Sequence, residues 1–389
     1  MRNVLSILLL LCVTICFACT GGASNGGSKE DSLAAGMNGG QATEARNKEV
    51  ADGNVVLPSD PGFRYVGRIS FKNPDAPRMG FSGAQIFANF EGTSVSMLAK
   101  PNSGFYVAVI DGKKPIKVQS KKDTTIVIAK GLEKGMHSIV IAQDTEAADV
   151  DFPEFYGLKL DKGCALGEAP VLPERKIEFI GNSITCGKGA LDTTTTKSVD
   201  DIAFESWYDS YDAEVGRNLN AQCMVVARSG IGIYRNNGGK KTGDPDNMQF
   251  YHQRTLLTQD SEMWDFSKFQ PQVVCINLGT NDTAQQYDVK LLENGAKTFF
   301  ADVRKRYPQA KIVVMTGPMR SGKRLLDQKT AIDAAVNQLK AEGMTEIYRF
   351  DFPYDNGKYG YGTGHHPAVG EHHFMAGMLT NYLKKLMGW

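Results

Sequence analysis

Neither sign of charge dominates this 389-residue sequence. Lys and Arg total 44 against 43 Asp and Glu, a formal net charge of +1, so there is no electrostatic case for nucleic acid or another polyanion as partner. No internal repeat is visible, and long apolar runs are scarce. The run over residues 4–17 falls short of the ~20 residues that a comfortable membrane span needs. Cysteine is sparse beyond Cys19: only Cys164, Cys186, Cys223 and Cys275 remain. Three of these lie within or beside expected core strands and helices, where they read as free buried thiols rather than disulfides. What is present is ordinary for a globular chain with sizeable cores, 42% apolar and 22% charged residues, and the length suits two domains.

The first residues read as an export segment. A single Arg2 precedes the apolar run, and small residues follow at Ala18-Cys19-Thr20-Gly21-Gly22, so residues 1–18 are expected to be a signal peptide. Cys16-Phe17-Ala18-Cys19 resembles a bacterial lipobox, with Cys16 standing where a Leu-like residue is usual. On that reading Cys19 becomes a diacylated N-terminus, and the protein an exported lipoprotein of the bacterial cell envelope, held to a membrane by its acyl chains. Residues 19–55 are rich in Gly, Ser, Asn, Ala and charge, with too little apolar surface to offset the entropy of ordering, and are expected to be a disordered tether.

Two domains are expected after it. Over residues 56–170 short β-rich runs, among them 85–90, 105–110, 124–129 and 137–142, are punctuated by turn signals at Asp111-Gly112 and Glu133-Lys134-Gly135. That pattern predicts an antiparallel jelly-roll sandwich. Over residues 171–389 the pattern changes. Strand-like runs at 222–227, 273–278, 311–316 and 346–350 alternate with helical stretches at 207–219, 289–306, 325–342 and 370–386. Such alternation predicts a three-layer α/β domain with a parallel sheet.

Three short segments carry the candidate chemistry: Gly181-Asn182-Ser183-Ile184-Thr185, Gly279-Thr280-Asn281-Asp282 and His365-His366-Pro367. The first two each follow an apolar strand-like run, which places them at the carboxyl edge of a parallel sheet, where open α/β folds keep their sites. Ser183 would present its hydroxyl there and its N–H toward an oxyanion, although a serine in this position equally caps a helix. Asn281 is a candidate side-chain donor to the same oxyanion, or else the centre of an Asx-turn. Gly232, in Arg228-Ser229-Gly230-Ile231-Gly232, is taken as a further N–H donor, with Gly230 competing for the role. His366 is taken as the base, because Pro367 is expected to start the last helix and leave His366 at its mouth.

This set resembles the SGNH (GDSL) hydrolase superfamily, and more narrowly the family two carbohydrate esterases, acetyl-ester hydrolases with a jelly roll before the hydrolase domain. The narrower match rests on Gly92-Thr93-Ser94-Val95, Val109-Ile110-Asp111-Gly112, Gly131-Leu132, Gly135-Met136-His137 and Asp144-Thr145-Glu146 in the sandwich. In the hydrolase domain it rests on residues 177–187, Ser229 to Gly232, Gly279 to Asp282, and His366-Pro367 with His372, Met375 and Ala376. The resemblance implies a secreted carbohydrate acetyl esterase acting on an acetylated glycan. Ser183 would be the nucleophile, His366 the base, and Ser183, Gly232 and Asn281 the oxyanion hole, with no cofactor.

Two positions depart from the superfamily pattern. Asn182 stands where Asp is usual before the nucleophile, and no acid occurs from Tyr361 to His365. A Ser–His dyad, as in members of the resembled family, is therefore expected, with a backbone carbonyl, Asp351 or Asp355 left to orient the imidazole. Four histidines between His365 and His373 invite a metal reading, but their spacing gives no i, i+4 pair and no Asp or Cys completes a set, so no metal is expected. Asp282 reads as a loop-shaping residue, and Trp207, Tyr208, Tyr211 and Tyr234, near the site loops, read as core in preference to platforms for a sugar ring. The competing functions are a non-catalytic glycan-binding lipoprotein and an esterase for another acyl ester, of a lipid or a bacterial wall polymer.

Overall fold

Alternation of apolar and polar side chains builds the first half. In the computed structural model, which describes residues 54–147, 150, 152–198 and 201–389, nine strands lie between residues 55 and 160. They are β1 (Val55–Val56), β2 (Arg64–Val66), β3 (Ile69–Ser70), β4 (Arg78–Met79), β5 (Gln85–Ala99), β6 (Gly104–Ile110), β7 (Ile116–Ser120), β8 (Thr125–Gln143) and β9 (Phe155–Leu160). The proposed export segment, Cys19 and nearly all of the tether lie outside the described residues. Seven strands form one antiparallel sheet, in the order β1-β9-β5-β8-β6-β7 with β2 also on β5, while β3 and β4 form a separate pair. Ile86, Ala88, Phe90, Val95 and Met97 of β5 point inward and meet Ile126, Ile128, Ile139 and Ile141 of β8 in one core. The sheet thus curls on itself as the expected jelly-roll domain.

Two turn signals fared differently. Asp111 and Gly112 have φ of 51° and 65°, and Lys113 N donates to Ile110 O at 2.9 Å. This is a type I′ turn between β6 and β7, which needs positive φ at both central residues. Glu133-Lys134-Gly135 is not a turn. Strand β8 runs through it, with Gly135 opposite Gly92 of β5. The partner strand continues on the same path, and its bulge between Gly92 and Ser94, near Gly131 at φ +72°, turns the signal into a bend within a long ladder.

The second half is a parallel five-stranded sheet, β10 (Arg175–Gly181), β11 (Ala221–Ala227), β12 (Val273–Asn277), β13 (Lys311–Thr316) and β14 (Ile347–Asp351), in the order β11-β10-β12-β13-β14. Its helices are α1 (Ser183–Cys186), α2 (Tyr211–Leu219), α3 (Met248–Tyr251), α4 (Val289–Arg306), α5 (Gly322–Ala341) and α6 (Val369–Met387). Alternate residues of each strand face opposite layers. Ile177, Phe179, Val225, Cys275 and Val313 pack with α2 and α6 through Leu219, Met375 and Leu379. Ile180, Val226, Ile276 and Val314 pack with α4 and α5 through Phe299, Val303, Ala331 and Val336. This is the expected three-layer α/β domain, and the chain order β10, β11, β12 reverses direction at β10 in the sheet. The crevice outside the carboxyl ends of β10 and β12 is therefore where a ligand site belongs. Cys164, Cys186, Cys223 and Cys275 are free thiols, and the last three are buried.

One buried ion pair ties the halves together. Arg68, between β2 and β3, reaches the α/β half, where Nη2 lies 3.0 Å from Glu178 Oε1 on β10, both side chains fully buried. Its Nη1 donates to His252 O at 2.5 Å and Arg254 O at 2.8 Å, and the guanidinium lies 5.3 Å from the Trp264 ring centroid and 5.4 Å from that of Phe266. Removing one partner of such a pair leaves a buried charge unmatched. Arg68→Met is expected to cost about 3–5 kcal/mol in urea unfolding, with part of the loss recovered when Glu178 is changed to Gln in the same chain. A loss below about 1 kcal/mol would show that the pair does not hold the halves together.

Candidate active site

Strand β10 ends in Gly181 because a side chain has no room there: a Cβ would lie 1.9 Å from Thr185 Oγ1. The chain folds back at once into α1. Asn182 caps it, with φ of −123° and Oδ1 accepting from Ile184 N at 3.0 Å. An Asn in place of the usual acid thus does the work of an N-cap, which needs only an acceptor oxygen. Ser183 follows as the first helical residue, 8% exposed, at the wall of a cleft of about 550 Å³.

His366 reaches the same point from the far end of the chain. Its Nε2 lies 2.8 Å from Ser183 Oγ, and its Nδ1 lies 2.9 Å from the backbone oxygen of Thr363. A carbonyl only accepts, so Nδ1 carries the proton and Nε2 is left as the acceptor for the Ser183 hydroxyl. The 3₁₀ turn Thr363–His365 sets this geometry. Thr363 is itself held, its Oγ1 donating to Asp192 Oδ2 at 3.0 Å. Neither acid considered for orienting the base does so. Asp351 pairs with Arg349 and Lys329, and Asp355 accepts from Gly357 N. Burial of the imidazole, with Lys188 and Arg320 nearby, holds its pKa below the ordinary histidine value, against the pull of the Thr363 carbonyl.

Pro367 does not start the last helix. It stands in a bridge with Tyr361, and α6 begins two residues later at Val369 with Ala368 as N-cap. The other histidines diverge. His365 is exposed, with φ +59°. His372 is buried, and its Nδ1 accepts from Tyr211 N at 3.2 Å; burial pushes its pKa down to about 3. His373 pairs on the surface with Glu214, and His137 in the sandwich with Asp111.

Of the three expected oxyanion donors, Ser183 and Asn281 line the cleft and Gly232 does not. The Gly232 N–H is committed to Asn236 Oδ1 at 3.2 Å, and a Cβ there would lie 1.8 Å from Arg235 O. Gly232 is therefore packed inside its loop. Gly230 takes its place at the cleft, with φ of +74°, a conformation glycine adopts without strain. Asn281 Nδ2 donates one hydrogen to Ile231 O at 2.8 Å, which fixes the amide with its second hydrogen available. Asp282 shapes the loop as expected, accepting from the N–H groups of Ile233, Tyr234 and Arg235 at 2.9–3.3 Å.

The four aromatics stay out of the cleft: Trp207 donates to Asp212 Oδ2, Tyr211 contacts Thr185 Oγ1, Tyr234 accepts from Asp288 N, and Tyr208, half-buried rather than core, lies against the Arg217 guanidinium. Thr280 lines the cleft beside Asn281, and Lys188 and Arg320 line it without having been expected there. Lys188 lies just past the Ser183 motif, whereas Arg320, past β13, has no local signal. Among the described residues no three His, Cys, Asp or Glu side chains converge as ligands for a metal.

Comparison with known proteins places the two halves in known families. Residues 65–170 match the family model for the carbohydrate esterase 2 N-terminal domain, and residues 179–367 that for the GDSL-like lipase/acylhydrolase family. A cellulase/esterase of Acetivibrio thermocellus is 36% identical over 342 residues, which cover 87% of this chain and 41% of that protein. The chain thus spans well under half of that relative. An acetylxylan esterase / glucomannan deacetylase of Cellvibrio japonicus is 25% identical over 353 residues, covering 86% of this chain and 92% of the relative. The solved structure of a family two carbohydrate esterase from Clostridium thermocellum, in complex with cellohexaose, matches with a TM-score of 0.78 at 35% identity. It covers 84% of this chain and all of that one. The chain belongs to the family two carbohydrate esterases.

Proposed function

We propose that the protein is a carboxylic ester hydrolase that removes O-acetyl groups from polysaccharides or oligosaccharides by a Ser–His mechanism without a cofactor. The observation that carries the reading is the 2.8 Å contact between Ser183 Oγ and His366 Nε2 at the wall of an open cleft. His366 takes the proton as Ser183 attacks the acetyl carbonyl, and the resulting imidazolium gives it to the sugar oxygen as its bond to the acetyl carbon breaks, releasing the sugar hydroxyl. Water then attacks the acetyl-enzyme with the same base, releasing acetate. The N–H groups of Ser183 and Gly230 and the second hydrogen of the Asn281 amide, all at the cleft wall, are assigned to the developing oxyanion, each such donor worth ~3 kcal/mol of barrier. Relatives named as acetylxylan esterase / glucomannan deacetylase, and one solved with cellohexaose, support a glycan as the substrate.

Acetate release from acetylated xylan and glucomannan, set against longer acyl esters, tests the reading. The acetylated glycans are expected to be cleaved. Ser183→Ala and His366→Ala are each expected to lower the rate by at least about 10³-fold with melting nearly unchanged. Near-full turnover by Ser183→Ala, or preference for long acyl chains, would contradict it.

We further propose that the protein is exported and anchored at the bacterial cell envelope through an acylated Cys19. The apolar run of residues 4–17 and the Ala18-Cys19 junction support this. Cys19→Ser is expected to move the protein from the membrane to the soluble exported fraction, and recovery of the unchanged parent in that soluble fraction would contradict it.

A further inference from the structure

Ser229 and Lys188 line the cleft beside the catalytic pair and the oxyanion donors, and both are held from behind. At the end of β8 the sandwich extends an arm, Asp144-Thr145-Glu146, across to the loops of the α/β half. Every residue of the arm is buried. Asp144 accepts from Tyr208 N at 2.9 Å and lies 2.8 Å from Lys117 Nζ, and its backbone oxygen accepts from Trp207 N at 3.0 Å. Thr145 is fixed by Gln143 Nε2, which donates to its carbonyl at 2.9 Å, and by Phe105 N, which donates to its hydroxyl at 3.1 Å. At the tip, the Glu146 N–H donates to Glu205 Oε1. Glu205 Oε2 lies 3.5 Å from Lys188 Nζ in the cleft wall.

The Glu146 carboxylate is directed at Ser229. Oε2 accepts from Ser229 N at 2.6 Å, and Oε1 accepts from Ser229 Oγ. Both oxygens are thus engaged by one residue, and that residue immediately precedes Gly230. On the other side, the Gly230 carbonyl accepts from Asn237 N at 2.7 Å. The peptide that aims the Gly230 N–H is therefore pinned on one side by its own loop and on the other by the sandwich. Charge-assisted hydrogen bonds of this kind are roughly twice as strong as neutral ones, and here they hold a loop whose glycine can otherwise sample both signs of φ.

We propose that Glu146 is a positioning residue of the esterase reaction: from the sandwich, it holds Ser229 so that the Gly230 N–H points at the oxyanion. This rests on the esterase reading above. It gives the sandwich a role in catalysis itself, because the α/β half alone supplies the nucleophile, the base and the donors but not the clamp that aims one of them. An oxyanion donor matters only in the transition state. Loosening it lowers kcat and leaves KM nearly unchanged, whereas a purely structural role changes the fraction of folded enzyme and not the turnover of each folded site.

Glu146→Gln and Ser229→Ala in the full chain test this, with a chromogenic acetate as substrate and active sites counted by titration with a serine-reactive phosphonate. Glu146→Gln keeps the shape but takes the charge from both hydrogen bonds, its amide oxygen left to accept from Ser229 N, and is expected to lower kcat per titrated site about 3- to 10-fold, with KM within about threefold of the parent. Ser229→Ala removes the hydroxyl half of the clamp and is expected to lower kcat per site at least about threefold. Should Glu146→Gln not fold, Ser229→Ala decides alone. A smaller fall in kcat per titrated site, or a loss expressed in KM alone, overturns the proposal. A parent that hydrolyses no acetyl ester overturns the esterase reading together with this one, while an active parent with unaffected variants overturns this one alone.

Discussion

The site depends on one hydrogen bond from a side chain to the main chain, His366 Nδ1 to the carbonyl of Thr363. That bond fixes which ring nitrogen carries the proton, and the tautomer in turn decides whether Ser183 faces an acceptor or a donor. A carboxylate in the same place would also stabilise the imidazolium by its charge. A neutral carbonyl offers less of that, and burial beside Lys188 and Arg320 disfavours the charged ring further. The base consequently stays neutral to lower pH than an ordinary histidine, and in the proposed mechanism the transition state relies more heavily on the oxyanion donors than on a charged partner for the imidazole.

The acids near the cleft hold loops instead. Asp282 gathers three N–H groups of the loop after Gly232, Asp192 holds the Thr363 side chain behind the base, and Glu146 holds Ser229. Each carboxylate is buried and each fixes a loop that carries or backs a reacting group. Loops at the carboxyl edge of a parallel sheet need such anchoring, because the sheet itself fixes only the ends of its strands. Two anchors come from the α/β half and one from the sandwich, in line with the Arg68–Glu178 pair that joins the halves deeper in the molecule.

Local pattern made much of this readable in the sequence. The apolar runs before Ser183 and Asn281 are β10 and β12, and helix α4 has the boundaries expected from its periodicity. Ser183 and Asn281, which meet His366 at one cleft, were legible because a strand-to-loop transition leaves a short-range signature, whereas the helix start expected at Pro367 as the mark of His366 is absent. What was not legible is set by contacts between distant residues. Choosing Gly230 over Gly232 requires knowing that Asn236 occupies the Gly232 N–H. The continuity of β8 through Gly135 depends on β5 bending with it. The Thr363 carbonyl has no side-chain signature at all, so the missing acid was visible in the sequence, and a backbone carbonyl could be named as one alternative, while which carbonyl takes its place could not. Asp144-Thr145-Glu146 stood out as a motif, yet its partner Ser229 lies 83 residues away.

The central claim is that a backbone carbonyl sets the state of His366. Nitrogen NMR of the enzyme labelled at histidine side chains, with His366 assigned by substitution, reads that state directly. The account predicts a neutral ring at pH 7 with the proton on Nδ1 and Nε2 as acceptor, titrating below the ordinary histidine value of about 6.5. A proton resident on Nε2, or an imidazolium that persists above pH 7, would contradict it.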